Sequence, residues 1–159
     1  MKHHHIQSRS IGDSIYTRNH PQGDPFKIRR NLSVQETKLL GLGLGLYWGE
    51  GNKKNKYSVR LGNTDPALLE VFVNFLVVIF QINRSDIKYG LQIFTDIDAE
   101  EAKDYWKDRL DINDSQFYKI TVTISGSIGT YRQKSRYGVL TVYYHNKKLR
   151  DILNDMLPT

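Results

Sequence analysis

Leu39-Leu40-Gly41-Leu42-Gly43-Leu44-Gly45-Leu46-Tyr47-Trp48-Gly49-Glu50-Gly51 is the stretch on which the fold of this 159-residue chain turns. It follows Ser33-Val34-Gln35-Glu36, an S-x-x-E capping box in which the serine and glutamate side chains satisfy orphan backbone N–H groups, so a helix is expected from about Val34. That helix carries Gly41, Gly43, Gly45 and Gly49. Each costs roughly 1 kcal/mol against alanine, about 4 kcal/mol together. Gly41, Gly45 and Gly49 recur every four residues and make one bare stripe, the pattern that lets two helix backbones approach closely. The partner is either another helix of the same subunit or a second copy of the chain.

A dinucleotide loop needs G-x-G-x-x-G after a strand; here Trp48 stands at the last glycine's place and the upstream signal is a helix cap. A membrane span needs about 20 apolar residues, and Glu50 ends the run too soon. A carboxylate at a helix C-terminus is disfavoured by the helix dipole, so stability does not account for Glu50. If the stripe is a two-fold seam, two Glu50 carboxylates meet near the axis and need a cation between them. The expectation is a divalent metal site shared by two subunits.

Gly43-Leu44-Gly45-Leu46-Tyr47-Trp48-Gly49-Glu50-Gly51 resembles the LAGLIDADG motif of homing endonucleases, with Gly45, Leu46, Gly49, Glu50 and Gly51 at matching places. Gly43 replaces the motif's first leucine, and Trp48 its first aspartate, the less functional of the two acids in that family. The resemblance extends in helix and strand order over roughly 31–157, and only the nine-residue motif is specific. It implies a single-motif homodimer joined through this helix, with double-stranded DNA on a saddle of antiparallel strands. Mg²⁺ or another divalent cation would be held by Glu50 and the Gly49 backbone, with Gly41, Gly45 and Gly49 at the dimer interface.

Net charge is +6, with 39% hydrophobic and 25% charged residues, which is ordinary for one globular domain. The absence of cysteine excludes disulfides and thiolate zinc sites. No signal peptide or membrane span is visible, so a cytoplasmic protein is expected. Charge is unevenly spread. Asp96 to Asp114 holds eight acids and three bases, a net of −5 that leaves +11 elsewhere, and no acid lies between Asp114 and Asp151. Lys53, Lys54, Lys56 and Arg60 follow the motif, and Arg132, Lys134 and Arg136 fall in a basic loop over 126–136. One strongly electropositive side is the footprint of a phosphate backbone.

The first thirty residues read as an arm. His3-His4-His5 is expected to be a tag or tail, Asn19 to Pro25 a loop, and Phe26 to Arg30 an edge strand or arm. From Asn31 onward the chain reads as the domain. Strands are expected over Tyr57–Asn63, Ile87–Ile97, Phe117–Ser125 and Tyr137–Tyr144, the last two paired with each other. In the third, Tyr118, Ile120, Val122 and Ile124 are expected inward. Asp65-Pro66 starts a core helix, Asp98-x-x-Glu101 an acidic one, and Asn146 a last one.

The pattern predicts an α+β two-layer domain: an antiparallel sheet of about four strands with helices on one face. Its outer face is expected to hold Arg60, Lys88, Gln92, Lys119, Thr121, Thr123, Thr141 and Tyr143, hydroxyls and cations suited to a DNA groove. Lys119 is the first candidate for a basic catalytic residue beside the scissile phosphate and Arg60 the second; neither matches a motif residue. The expected function is metal-dependent DNA cleavage by a homodimer. The rivals are a non-cleaving DNA-binding regulator on the same fold and a homodimeric interaction protein with an incidental basic face.

Overall fold

The computed structural model describes residues 10–124 and 135–158. Within them the chain runs α1 (Ile11–Asn19), α2 (Val34–Glu50), β1 (Val59–Asn63), α3 (Pro66–Ile79), β2 (Lys88–Phe94), α4 (Ala99–Leu110), β3 (Thr121–Thr123), β4 (Val139–Tyr144) and α5 (Lys147–Asp155). His3-His4-His5, Arg132 and Lys134 lie outside the described residues.

Helix starts follow their caps. Ser33 Oγ accepts from the Glu36 N–H while Glu36 accepts from the Ser33 N–H at 2.8 Å, the reciprocal box the sequence predicts. Asp65 caps α3 ahead of Pro66, Asp98 caps α4 through the Glu101 N–H, and Asn146 caps α5 through the Leu149 N–H. Residues 1–30, expected as an arm, include a helix: α1 begins where Ser10 caps Asp13, but it buries none of its residues, so it has no apolar stripe to betray it. Phe26–Arg30 is extended and packs along the end of α3, with Lys27 N–H and Arg29 N–H donating to the Phe80 and Ile79 carbonyls.

The sheet order is β1-β4-β2-β3, with β4 antiparallel to both β1 and β2, and β3 parallel to β2. The sheet is therefore mixed, which corrects the all-antiparallel expectation and the expected pairing of Phe117–Ser125 with Tyr137–Tyr144. The reason is topological. β4 inserts between β1 and β2 and has both edges filled, so β3 cannot pair with it and lies on the free edge of β2. The crossover through α4 delivers β3 running the same way as β2, as a parallel pair requires.

Strand lengths also differ from expectation. β1 starts at Val59 because the Asn55 side chain takes the Tyr57 and Ser58 N–H groups into a turn, leaving Tyr57 exposed. β2 ends at Phe94. β3 shrinks to three residues, and Val122, although in register with inward Ile93, is 55% exposed, while Ile124, just past the strand end, is 83% exposed. Among the described residues nothing covers the inner face of this edge strand at Val122.

Everywhere else the inner face is dry. Val59, Leu61, Tyr89, Leu91, Ile93, Leu140, Val142 and Tyr144 meet Leu69, Phe72, Val73, Leu76 and Ile79 of α3 and Ala102, Trp106 and Leu110 of α4. α3 and α4 contact each other, and α2 lies against α3, so these three helices form one layer, and among the described residues the opposite sheet face is left open. No helix among the described residues is long and apolar enough to cross a membrane.

Candidate functional site

The glycines of α2 divide into two sets. Gly43 and Tyr47 are its buried residues. A Cβ at Gly43 would lie 2.1 Å from the Phe75 ring, and the Tyr47 ring stacks on Phe72 at 6.3 Å. Close packing inside the subunit therefore explains Gly43. Gly41, Gly45 and Gly49 lie on the other side, exposed, and a Cβ at any of them would have no atom within 4 Å. Leu42 and Trp48 flank that stripe, 49% and 55% exposed. The bare stripe is thus solvent-facing in this chain, beside two large apolar side chains.

At the foot of the helix the chain turns tightly. A Cβ at Gly51 would lie 2.3 Å from the Tyr47 carbonyl oxygen, so the backbone crosses Tyr47 at a distance only glycine permits. Gly51 then forms a bridge to Leu61, and the Asn52 N–H donates to the Arg60 carbonyl, which brings Glu50 alongside the β1 edge of the sheet. The Glu50 side chain is exposed and makes no hydrogen bond or ion pair with a described residue. Its carboxylate is available to an external cation.

The lysine-rich turn is tied down from several sides. Lys53 Nζ donates to the Trp48 carbonyl at 2.5 Å, placing an ammonium on the negative end of the α2 dipole. Arg150 of α5 donates to the Asn55 and Lys53 carbonyls at 2.9 and 2.6 Å and pairs with Asp151 at 2.9 Å. Lys54 and Lys56 remain exposed. Among the described residues no three metal-ligating side chains cluster. One chain therefore offers magnesium one carboxylate and helix-end carbonyls. That fits an ion that keeps several waters and binds through one or two carboxylates plus substrate phosphate, provided a second Glu50 is supplied.

Within the strands the outer sheet face assembles as the alternation predicts; Lys119, expected on it, precedes β3 and lies outside the paired register. The register sets Arg60, Tyr143 and Lys88 in one row, Gly62, Thr141 and Gly90 in the next, and Val139, Gln92 and Thr121 in the third, with Thr123 beside Phe94. None of these is an acid. Gln92 Nε2 donates to Thr123 Oγ1 at 3.1 Å, and Lys88 Nζ to the Ser115 carbonyl at 3.0 Å. Arg60 donates through Nε to Ser58 Oγ at 2.7 Å and lies 5.1 Å from the Tyr143 ring centroid.

The two candidate basic residues part company. Arg60 stands on β1, the strand beside Glu50, while Lys119 precedes β3 at the far edge, three strand spacings or roughly 14 Å away. Within one subunit only Arg60 is brought toward Glu50. Arg136, expected in the basic loop, lies 3.7 Å from Glu101 of the acidic helix and over the Tyr137 ring.

Two residues the sequence reading missed join this face. Tyr118, expected inward, is turned outward, and its hydroxyl lies 2.5 Å from His145 Nε2. Tyr118 also packs edge-on to Tyr143 at 5.6 Å, and His145 stacks beside Tyr143 at 6.0 Å. Burial and then Arg60 pull His145 below the usual imidazole pKa; burial and then Tyr143 push the Tyr118 phenol up. The signal for His145 was present, since Thr141, Tyr143 and His145 continue one period-2 alternation past the strand end. No family model matches this chain, and neither a curated protein nor a solved structure does.

Proposed function

We propose that this chain is a homodimeric double-stranded-DNA-binding protein of LAGLIDADG type that hydrolyses phosphodiester bonds. One observation carries the reading: the Gly41, Gly45 and Gly49 stripe is bare and solvent-facing, and an unpaired Glu50 stands at its foot. Three glycines facing water cost a helix about 3 kcal/mol, and in one subunit they gain no contact in return. A second α2 laid on the stripe, with Leu42 and Trp48 at its margins, supplies that contact and brings two carboxylates together.

In that dimer the Glu50 pair and helix-end carbonyls would hold Mg²⁺, which supplies charge stabilisation and an activated water for phosphodiester hydrolysis. The chain's own residues do the rest. The outer face presents hydroxyls, an amide and cations to the duplex, and Arg60 is the candidate basic residue on the strand beside Glu50.

The non-cleaving regulator is the second reading, and one observation favours it: the Lys53 ammonium already occupies the Trp48 carbonyl at the helix end. Supercoiled plasmid incubated with Mg²⁺ and either wild type or Glu50→Gln separates the two. Nicking by wild type alone supports the nuclease. Retention of duplex by both proteins, without cleavage on a broad set of target sequences, supports the regulator.

A further inference from the structure

The outer sheet face is chemically divided along its strands. One end holds Thr121, Thr123, Thr141 and Gln92; the other holds Arg60, Lys88, Tyr143, Tyr118 and His145. Hydroxyls and an amide suit the edges of paired bases. Three rings and two cations suit something else.

We propose that the ring-bearing end of this face, formed by Tyr118, His145, Tyr143 and Arg60, binds an unstacked nucleobase of an unpaired nucleotide. The proposal rests on the nucleic-acid reading above and narrows it to a ligand class that a regular duplex does not present. Charge complementarity picks the partner: the strand residues of this face include Arg60 and Lys88 and no carboxylate, so an anionic backbone is favoured. The exposed ring surface then requires a partner with a π-face rather than a bare phosphate chain. Every nucleobase has one, which makes ring stacking tolerant of sequence.

The rings are held in place before any ligand arrives. Tyr118 is anchored by its N–H to the Tyr89 carbonyl at 2.8 Å and by its hydroxyl to His145. Tyr143 lies over β2 because Gly90 leaves room; a Cβ there would be 2.9 Å from its ring. Arg60 covers Tyr143, with Ser58 fixing the guanidinium through Nε. Tyr143 is thereby committed to its neighbours, while Tyr118, 43% exposed, and His145 keep ring surface toward solvent. A fixed aromatic surface loses little conformational entropy when a base settles on it.

The test uses three fluorescent probes: an oligothymidylate of about twelve nucleotides, an abasic strand of the same length and charge, and a duplex. Anisotropy titration of the full chain is expected to show oligothymidylate bound at least about tenfold tighter than the abasic strand. Tyr118→Leu should erase most of that ratio while leaving abasic binding unchanged, and Tyr118→Phe should keep it. His145→Ala should reduce the ratio as well, and serves as the second variant if Tyr118→Leu lowers the melting temperature. Equal affinity of wild type for the two single strands, or an undiminished ratio in Tyr118→Leu, overturns the proposal. If the duplex still binds, the nucleic-acid reading survives that result; if none of the three probes binds at low salt, both fall together.

Discussion

Gly43 faces Phe75 across the α2–α3 contact with no room for a methyl group, the would-be Cβ lying 2.1 Å from the ring. Gly43→Ala gains about 1 kcal/mol of helix propensity but drives a buried ring off its position, an overpacking cost of about 1–3 kcal/mol. Net destabilisation, read as a lower midpoint in urea, is expected. A stability equal to or above wild type would show that the α2–α3 contact is looser than its geometry.

The outward stripe gives the opposite sign. Gly41→Ala and Gly45→Ala meet no atom within 4 Å, so each should stabilise the isolated subunit by about 1 kcal/mol. In the proposed dimer the same methyls separate the two backbones. Sedimentation should therefore show wild-type dimers at micromolar protein and monomers for the double variant, with the variant's urea midpoint above that of wild type at dilutions where wild type is monomeric. Monomeric wild type would remove the seam.

Much of this arrangement was readable in the residues themselves. Ser33 and Glu36 announced α2, Asp65-Pro66 announced α3, and period-2 alternation set Arg60, Lys88, Gln92, Thr141 and Tyr143 on one face, because caps and pleats are local. The mixed sheet was not readable. Alternation says which face a residue takes and nothing about which strand lies beside it, and the insertion of β4 between β1 and β2 is a long-range choice. Val122 shows the same limit at one residue: its parity is inward, yet among the described residues no helix covers the sheet edge where it stands. The two roles of the α2 glycines were equally hidden, since spacing alone does not say which side of a helix meets Phe75.

The lysines after the motif should behave differently from one another. Lys53 is bound to the end of α2, whereas Lys54 and Lys56 are exposed. Lys53→Met should cost about 0.3–1 kcal/mol of stability by uncapping the helix dipole and leave the salt dependence of duplex binding nearly unchanged. Lys54→Met and Lys56→Met should leave stability alone and each lower the slope of log affinity against log salt by about 1. A loss of slope in Lys53→Met alone would mean that its ammonium leaves the helix end for a phosphate.

His145 makes stability depend on pH with a definite sign. Burial and Arg60 hold its folded pKa below the ordinary 6.5, and the groups facing it are Arg60, Tyr118 and Tyr143. The unfolded chain therefore binds the proton more readily than the folded one. The stability associated with neutral His145 is complete above about pH 6.5 and drains away as pH falls through that value toward the lower folded pKa. Neutral Nε2 is also the acceptor available to the Tyr118 hydroxyl; a protonated ring offers only donors. Urea midpoints at about pH 7.5 and about pH 5.5 should fall more for wild type than for His145→Gln, which carries no titrating proton. A wild-type loss no larger than that of His145→Gln would show that the imidazole is not held neutral by its neighbours on the sheet.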